Sequence, residues 1–477
     1  MREAPIEYTR VAGVEGPLLH VRGVRGVGWD EAAEVRLASG EHRRGVVLDV
    51  DDDAAVVQVY EGTSGIRPAE TSVAFLGTPA RVKVGEAWLG RVWNGRGEPI
   101  DGGPPVLAGP EREVTGAPIN PVARLTPSDP VLTGVAAIDV MTTLVRGQKL
   151  PVFSVGGLPH LELAAQIAAQ AHVAREAFCV VFAAMGVTHT DAAMVRDVLE
   201  ERAATGDLAL FVNTADDPIV ERLLTPRIAL TVAEHLAFEC GYHVLVVMAD
   251  MTSYCEALRE VASARGVVPA RRGYPGYLYS DLASIYERCG RLRDRPGSIT
   301  QIPVLTMPAG DITHPVPDLT GYITEGQLVL AADVFARGVY PPIDPLSSLS
   351  RMMRRGVGPG RTRGDHRDVA AQLDASVAQA RQVRDLAELV GPDALTATDR
   401  RYLAFLDAFE RHLVTQRRDE SVSIDEAFAR VWRVLSVLPR RELTMVPAAV
   451  LDASYHPAPR DADPDADPEL DPDPDEG

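Results

Sequence analysis

The chain has 477 residues, which accommodates about three domains at roughly 150 residues each, and 46% of it is hydrophobic, mostly aliphatic because aromatics are only 5%. The net charge of −19 argues against a nucleic-acid partner, which needs a basic face. Nine of the acidic residues lie in the last 17 positions, DADPDADPELDPDPDEG, and without them the remainder carries −10, ordinary for a soluble protein.

Residues 1–72 read as short strands. TRVAGVEGPLLHVRGV, AAEVRLASG and HRRGVVLDVDDDAAVVQVYEG alternate in polarity and are broken by Gly and Asp, which predicts a small antiparallel β-barrel. Residues 73–349 form the second unit. Within it, residues 96–130 are rich in Pro and Gly with apolar residues threaded through, which predicts a segment wrapped over the surface. From 131 to 346 the pattern alternates. AFCVVFAAMGV, DLALFVNTAD, YHVLVVMAD and ITQIPVLTMP are near-continuous apolar runs of strand length, separated by helical stretches such as DAAMVRDVLEERA and TSYCEALREVASARG. That pattern means a parallel sheet covered on both faces, a fold that binds ligands at the carboxyl ends of its strands. From 350 onward DVAAQLDASVAQARQVRDLAELVG, DRRYLAFLDAFERHLVTQ and SVSIDEAFARVWRVLSVL have three- and four-residue apolar spacing, with Ser423 and Asp425 as candidate caps, which predicts a helical bundle to about 450. Residues 451–477 are expected to be a disordered acidic Asp/Pro tail.

The four cysteines stand singly with no CxxC pair, so buried free thiols are expected. No apolar run reaches the roughly 18 residues of a membrane span, and the first ten residues lack the apolar core of a signal peptide. A cytosolic chain is expected, compatible with docking on a membrane through partners.

Residues 153–160, FSVGGLPH, follow a strand-like run and open into LELAAQIAAQAHVA, a helix pattern. Strand, glycine-bearing turn and helix are the setting of a phosphate-binding loop, whose full form is GxxxxGK followed by Ser or Thr. Here Leu158 stands where the lysine belongs and Pro159 where the magnesium hydroxyl belongs. Leucine has no charge, and proline has neither a hydroxyl nor a backbone N–H. Ser154, Gly156 and Gly157 are therefore candidates to line a degenerate nucleotide loop, and an ordinary Gly-Gly-Leu-Pro turn is the alternative.

Asp250 closes the apolar run HVLVVMAD, where a nucleotide-binding domain places its magnesium-organising carboxylate. Its alternative is a helix cap before Thr252 and Ser253. At the end of AFCVVFAAMGV, Gly186, Val187 and Thr188 offer no group able to act as a base toward water. Arg351, in SLSRMMRRGVG, reads from its neighbours as a solvated or helix-terminal charge, with Arg354 and Arg355 beside it. Histidines 160, 189, 314 and 366 have no ligand spacing, so no metal site is assigned, and serines 347, 348 and 350 lie in no GxSxG elbow.

Seven strings together, QVYEGTSGI, LGRVWNGRGEPIDGGP, FSVGGLPH, VMADMTSYCEALRE, ARRGYPGYLYSDLASIYERCGR, DITHPVPDLTGYITEGQ and PPIDPLSSLSR, resemble the B subunit of V/A-type rotary ATPases and ATP synthases. The resemblance runs to about residue 450 and leaves out the acidic tail. It implies an α/β protein with an N-terminal β-barrel, a central RecA-like nucleotide-binding domain and a C-terminal helical domain. It implies a non-catalytic chain, three copies of which alternate with three catalytic A subunits in a ring on the cytoplasmic face of a membrane. The implied partners are the A subunit, the central-stalk and peripheral-stalk subunits and, indirectly, a proton-conducting membrane sector. ATP or ADP with magnesium would sit at the A–B interface, held mainly by the A subunit and not tightly by this chain alone. The resemblance also turns the reading of Arg351 from a surface charge into an arginine finger that reaches the A subunit's ATP site in trans. The competing readings are a stand-alone RecA-type ATPase, disfavoured by Leu158, Pro159 and Val187, and a nucleotide-free scaffold of the same ring.

Overall fold

The computed structural model describes residues 6–457 apart from Asp52. At the N-terminus seven strands form one antiparallel sheet, in the order Glu7–Tyr8, Ser72–Pro79, Glu31–Arg36, His42–Asp51, Ala54–Val59, Leu18–Arg22, Val11–Glu15. Register shifts between Val11 and Gly13, Glu31 and Ala33, and Val47 and Asp49 mark bulges, the device by which a sheet is bent toward closure. Alternate residues, among them Leu19, Val21, Val35, Val57 and Phe75, share one interior cluster. The sheet includes Ser72–Pro79, so the barrel runs past residue 72. The boundary expected there follows a polar break in the sequence, whereas pairing of Ser72–Pro79 with Glu31–Arg36 carries the sheet on.

The central sheet has the path Leu349–Ser350, Gly326–Val329, Val152–Val155, Ser298–Met307, His243–Ala249, Phe178–Val187, Leu208–Thr214, Arg91–Asn94. All neighbours on this path are parallel except the first pair. Its residues divide by alternation. Cys179, Val181, Ala183 and Met185 pack with the helices Ile219–Phe238 and Met251–Ala264 on one face. Val180, Phe182 and Ala184 pack with His160–Gln170 and His189–Thr205 on the other. Both faces are dry, which is why these strands read as continuous apolar runs.

Two elements escape the sequence pattern. Arg91–Asn94 forms the far edge of the sheet, where Trp93 packs 4.3 Å from Trp88, itself stacked on Phe211. Ile219–Phe238 is a 20-residue helix whose internal Pro226 argues against it locally; burial of Leu224, Ile228, Leu230 and Leu236 outweighs that cost.

The segment 96–130 is tied down by Arg288, a fully buried guanidinium. Arg288 donates two 2.7 Å bonds to Glu234, one of 2.8 Å to Thr231 Oγ1 and one of 3.3 Å to the Val114 carbonyl. Gly116 crosses so close that a Cβ there would lie 2.3 Å from Arg288 Cζ. Arg288→Met is expected to cost about 3 kcal/mol, the low end for breaking a buried ion pair, because Glu234 keeps some access to water. Chemical denaturation measures it, and a change under about 0.5 kcal/mol, the scale of a neutral surface substitution, would show that this anchor contributes nothing.

The C-terminal helices are His366–Val390, Ala397–Ala408 continued by Phe409–Val414, Ile424–Leu435 and Ala448–Ser454. Thr396 and Asp399 form a capping box, and Ser423 caps the third helix while Asp425 lies in its first turn. Their core, with Leu373, Phe405, Phe409, Phe428 and Trp432, also takes in Ala136, Val140 and Met141 from the short helix Ala136–Met141. His366, fully buried, donates Nε2–H to the Val140 carbonyl at 2.9 Å. Because Ala448–Ser454 is helical, the helical domain passes residue 450. The Asp-Pro repeat lies outside the described residues.

Candidate functional site

The strand Val152–Val155 ends in the turn 156–159, and the helix His160–Gln170 starts there. Gly157 has φ +89°, a conformation glycine adopts without strain. A Cβ at Gly156 or Gly157 would meet nothing within 4 Å, so the turn's backbone is open on one side. Ser154 is fully buried and donates its hydroxyl to the Val155 carbonyl at 2.9 Å, so it supports the turn from beneath. Leu158 stands between the core and the open face of the turn. It is 7% exposed and packs in the core with Leu161 and Val187.

A cavity of about 390 Å³ opens over this turn. Gly157, His160, Glu162, Gly186, Thr188 and Asp250 line it, together with Phe335 and with Arg418 from the C-terminal region. Gly157 and Asp250 are thus brought together, at the carboxyl end of the parallel strands. Val187 is buried, and Thr188 is spent as a helix cap, its hydroxyl oxygen accepting from the Asp191 N–H at 3.1 Å.

Asp250 does what its helix-cap reading describes. Its Oδ1 accepts from the Thr252 N–H at 2.7 Å at the start of Met251–Ala264. It also accepts the Thr306 hydroxyl at 2.7 Å and the Thr306 N–H at 3.3 Å, across to the adjoining strand. Burial raises its carboxyl above the ordinary carboxylate range, opposed by the Thr306 and Thr252 hydrogen bonds and by nearby His160. The carboxylate therefore faces the cavity with much of its hydrogen-bonding capacity already used.

Behind Gly186 stands Arg222, which sequence reasoning missed. Its Nε donates to Asn213 Oδ1 at 3.1 Å, the same oxygen that takes the Gly186 N–H. A Cβ on Gly186, at φ +67°, would come 2.8 Å from Arg222 Nε. Arg418 was missed too; its guanidinium lies 5.2 Å over the Tyr340 ring. No local signal marks either residue. One sits in the first turn of a helix and the other in a charged loop, and only the fold brings Arg418 to the cavity wall and Arg222 behind Gly186.

The residues of this chain do not fit a tightly held magnesium–triphosphate. The turn offers open backbone but neither an ammonium nor a hydroxyl, and Asp250 is engaged. Among the described residues no group of three His, Cys, Asp or Glu is placed to hold a metal ion.

Arg351 is not at this cavity. Ser350 pairs with Gly326, and Leu328, two residues further on, is level with Val152. Arg351 therefore stands at the amino end of the parallel strands, while the turn 156–159 leaves their carboxyl end. Its side chain is exposed, as are those of Arg354 and Arg355. Its N–H donates to the Glu325 carbonyl at 3.1 Å, and Nη1 lies 3.5 Å from the Thr324 carbonyl.

Comparison with known proteins agrees over all three regions. Residues 11–77 match the β-barrel domain of the ATP synthase alpha/beta family, and 134–350 match that family's nucleotide-binding domain. Residues 355–455 match the C-terminal domain of V and A type ATP synthase. The B subunit of the A-type ATP synthase of Aeropyrum pernix is 54% identical over 453 residues, covering 94% of this chain and 98% of that one. A solved ATP synthase subunit, NeqB of Nanoarcheaum equitans, superposes with TM-score 0.69 at 38% identity, covering 88% of this chain and 98% of its own.

Proposed function

The chain belongs to the ATP synthase alpha/beta family, among the B subunits of its V/A-type branch, and from that premise we propose that it is the non-catalytic B subunit of a proton-translocating rotary ATPase or ATP synthase. In this reading three copies alternate with three catalytic A subunits in a ring. The ring forms part of the peripheral sector on the cytoplasmic face of the membrane, joined to central-stalk and peripheral-stalk subunits. ATP or ADP with magnesium is held mainly by the A subunit at the A–B interface. Arg351 completes that site in trans and so couples ATP synthesis or hydrolysis to proton transport.

One observation supports the reading above others. The phosphate-loop fold is present, yet an uncharged Leu158 stands in the lysine's place at the cavity, while an exposed arginine stands at the opposite end of the same sheet. A chain that catalysed alone would need its cations at the loop. A chain that serves a neighbour needs one at its flank. Mixing the purified chain with the A subunit of an A-type ATP synthase tests this by native mass spectrometry and ATPase assay. A stable three-plus-three assembly with turnover is the expected result, and a chain that stays apart from the A subunit would overturn it.

A nucleotide-free scaffold of the same ring is the second reading, favoured by the lack of a cation in the turn and by the engaged Asp250 carboxylate. The Arg351 variants separate the two. Truncation before Asp461 is expected to leave ring assembly unchanged. An Asp-Pro repeat lacks the N–H groups for a helix, and its like charges repel. Loss of the ring on truncation would mean that the tail docks on a basic partner surface.

A further inference from the structure

Arg351 follows a strand of only two residues at the sheet edge, a place where a backbone frays unless something holds it. Two side chains just before the loop strand do this. Gln148, fully buried, donates Nε2–H to the Glu325 carbonyl at 2.9 Å and to Ser350 Oγ at 3.0 Å. The same Glu325 carbonyl accepts the Arg351 N–H. Lys149, 2% exposed, places its ammonium 2.7 Å from Glu287 Oε1 and 3.1 Å from Glu325 Oε1. Its backbone N–H donates to Glu325 Oε2 at 2.7 Å, and the Glu325 N–H returns a bond to the Lys149 carbonyl at 2.9 Å. Ser350 donates onward to the Thr143 carbonyl at 3.0 Å. Gln148 and Leu150 are themselves bonded through their backbones to Gln301, in the strand Ser298–Met307 at the middle of the sheet.

We propose that Gln148 and Lys149 are positioning residues for Arg351: through Ser350 on one side and Glu325 on the other, they fix the arginine's backbone to the central sheet. This rests on the reading of Arg351 as a residue acting in the neighbouring subunit's site. The physical need is plain. A group that stabilises transferring charge must be held to about 0.5 Å, and a misplacement of about 1 Å costs about a hundredfold in rate. A buried ammonium shared by two carboxylates and a buried amide with both N–H bonds used give that rigidity at an edge that otherwise lacks it. Neither residue touches the reacting atoms. Their effect belongs in kcat and leaves nucleotide affinity alone.

The test uses rings assembled with A subunits and chains carrying Glu325→Gln, Gln148→Ala or Ser350→Ala. Glu325→Gln and Gln148→Ala are expected to lower kcat by about 10- to 100-fold, the range of a sub-ångström to 1 Å displacement. The KM for MgATP is expected to hold in the assembled rings, while the melting temperature falls in both, because each leaves buried polar groups without partners. Ser350→Ala removes one hydroxyl, leaves the ion pairs alone and is expected to cost about fivefold in kcat on the same argument. If the first two variants fail to assemble, Ser350→Ala decides. In Arg351→Ala rings the same substitutions are expected to change the residual single-turnover rate by less than about twofold, because non-additivity marks residues that act through one another. A normal kcat in all three variants, with Arg351→Ala rings inert, overturns the positioning role and leaves the finger standing. An equal further loss in the Arg351→Ala background overturns it as well. If Arg351→Ala rings themselves keep turnover, the finger reading fails and the proposal falls with it.

Discussion

Rings built with the Arg351→Ala chain are expected to assemble normally and to hydrolyse ATP at about 10⁻³ to 10⁻⁵ of the wild-type rate, the range measured for removing an arginine finger. That is about 4 to 7 kcal/mol of transition-state stabilisation at about 1.4 kcal/mol per decade. The loss is large because charge builds on the γ-phosphoryl oxygens only as the bond breaks, and a guanidinium held there in a site with little water answers it at that moment. Arg351→Lys restores charge without the planar fork and is expected to rescue only in part. Arg354→Ala and Arg355→Ala are expected to do much less, since both side chains are exposed on the short helix that follows. Steady-state ATPase of the assembled rings is the measurement. Turnover of Arg351→Ala rings within a few-fold of wild type removes the finger and leaves the scaffold.

The purified chain alone is expected to be nearly inert toward ATP, far below the roughly 1–100 per second of ordinary phosphoryl-transfer enzymes. Three groups are missing at once: the phosphate lysine, the magnesium hydroxyl and a base at Val187. Leu158→Lys is expected to create no turnover. The structure adds a second reason to the chemical one. Leu158 is nearly buried between the core and the cavity, so a lysine there gives up the leucine's core packing and holds an ammonium where water has little access. The variant is therefore also expected to melt earlier than the wild-type chain. Measurable turnover by the isolated wild-type chain would sink the non-catalytic reading.

The elements themselves were legible where the pattern is local and strong. Residues 178–187 and 243–249 read as buried strands because both of their faces meet helices, and the helix after the turn shows at three- and four-residue spacing. Arg91–Asn94 was not legible, since four residues between Gly90 and Gly95 have no period of their own. Pairing with Leu208–Thr214 is what makes them a strand. Pro226 hid a 20-residue helix for a similar reason, because the stabilising contacts come from the sheet beneath it.

What the sequence by itself determined is chemical. It dictates which side chains stand at the turn and at the end of the strand 178–187, and hence that Leu158 and Pro159 supply neither lysine nor hydroxyl and Val187 no base, because those identities follow directly from position in a strand–turn–helix pattern. Only the tertiary structure decided where the remaining groups lie. Asp250 is engaged by Thr306, 56 residues further along the chain. Arg418 arrives at the cavity from a distant loop, and Arg222 stands behind Gly186 in its wall. Arg351 stands at the opposite end of the sheet, its N–H on the Glu325 carbonyl that Gln148 also bonds. The reason is physical: local periodicity specifies what kind of element forms, whereas strand order and register bring residues hundreds of positions apart to one end of a sheet or to the other.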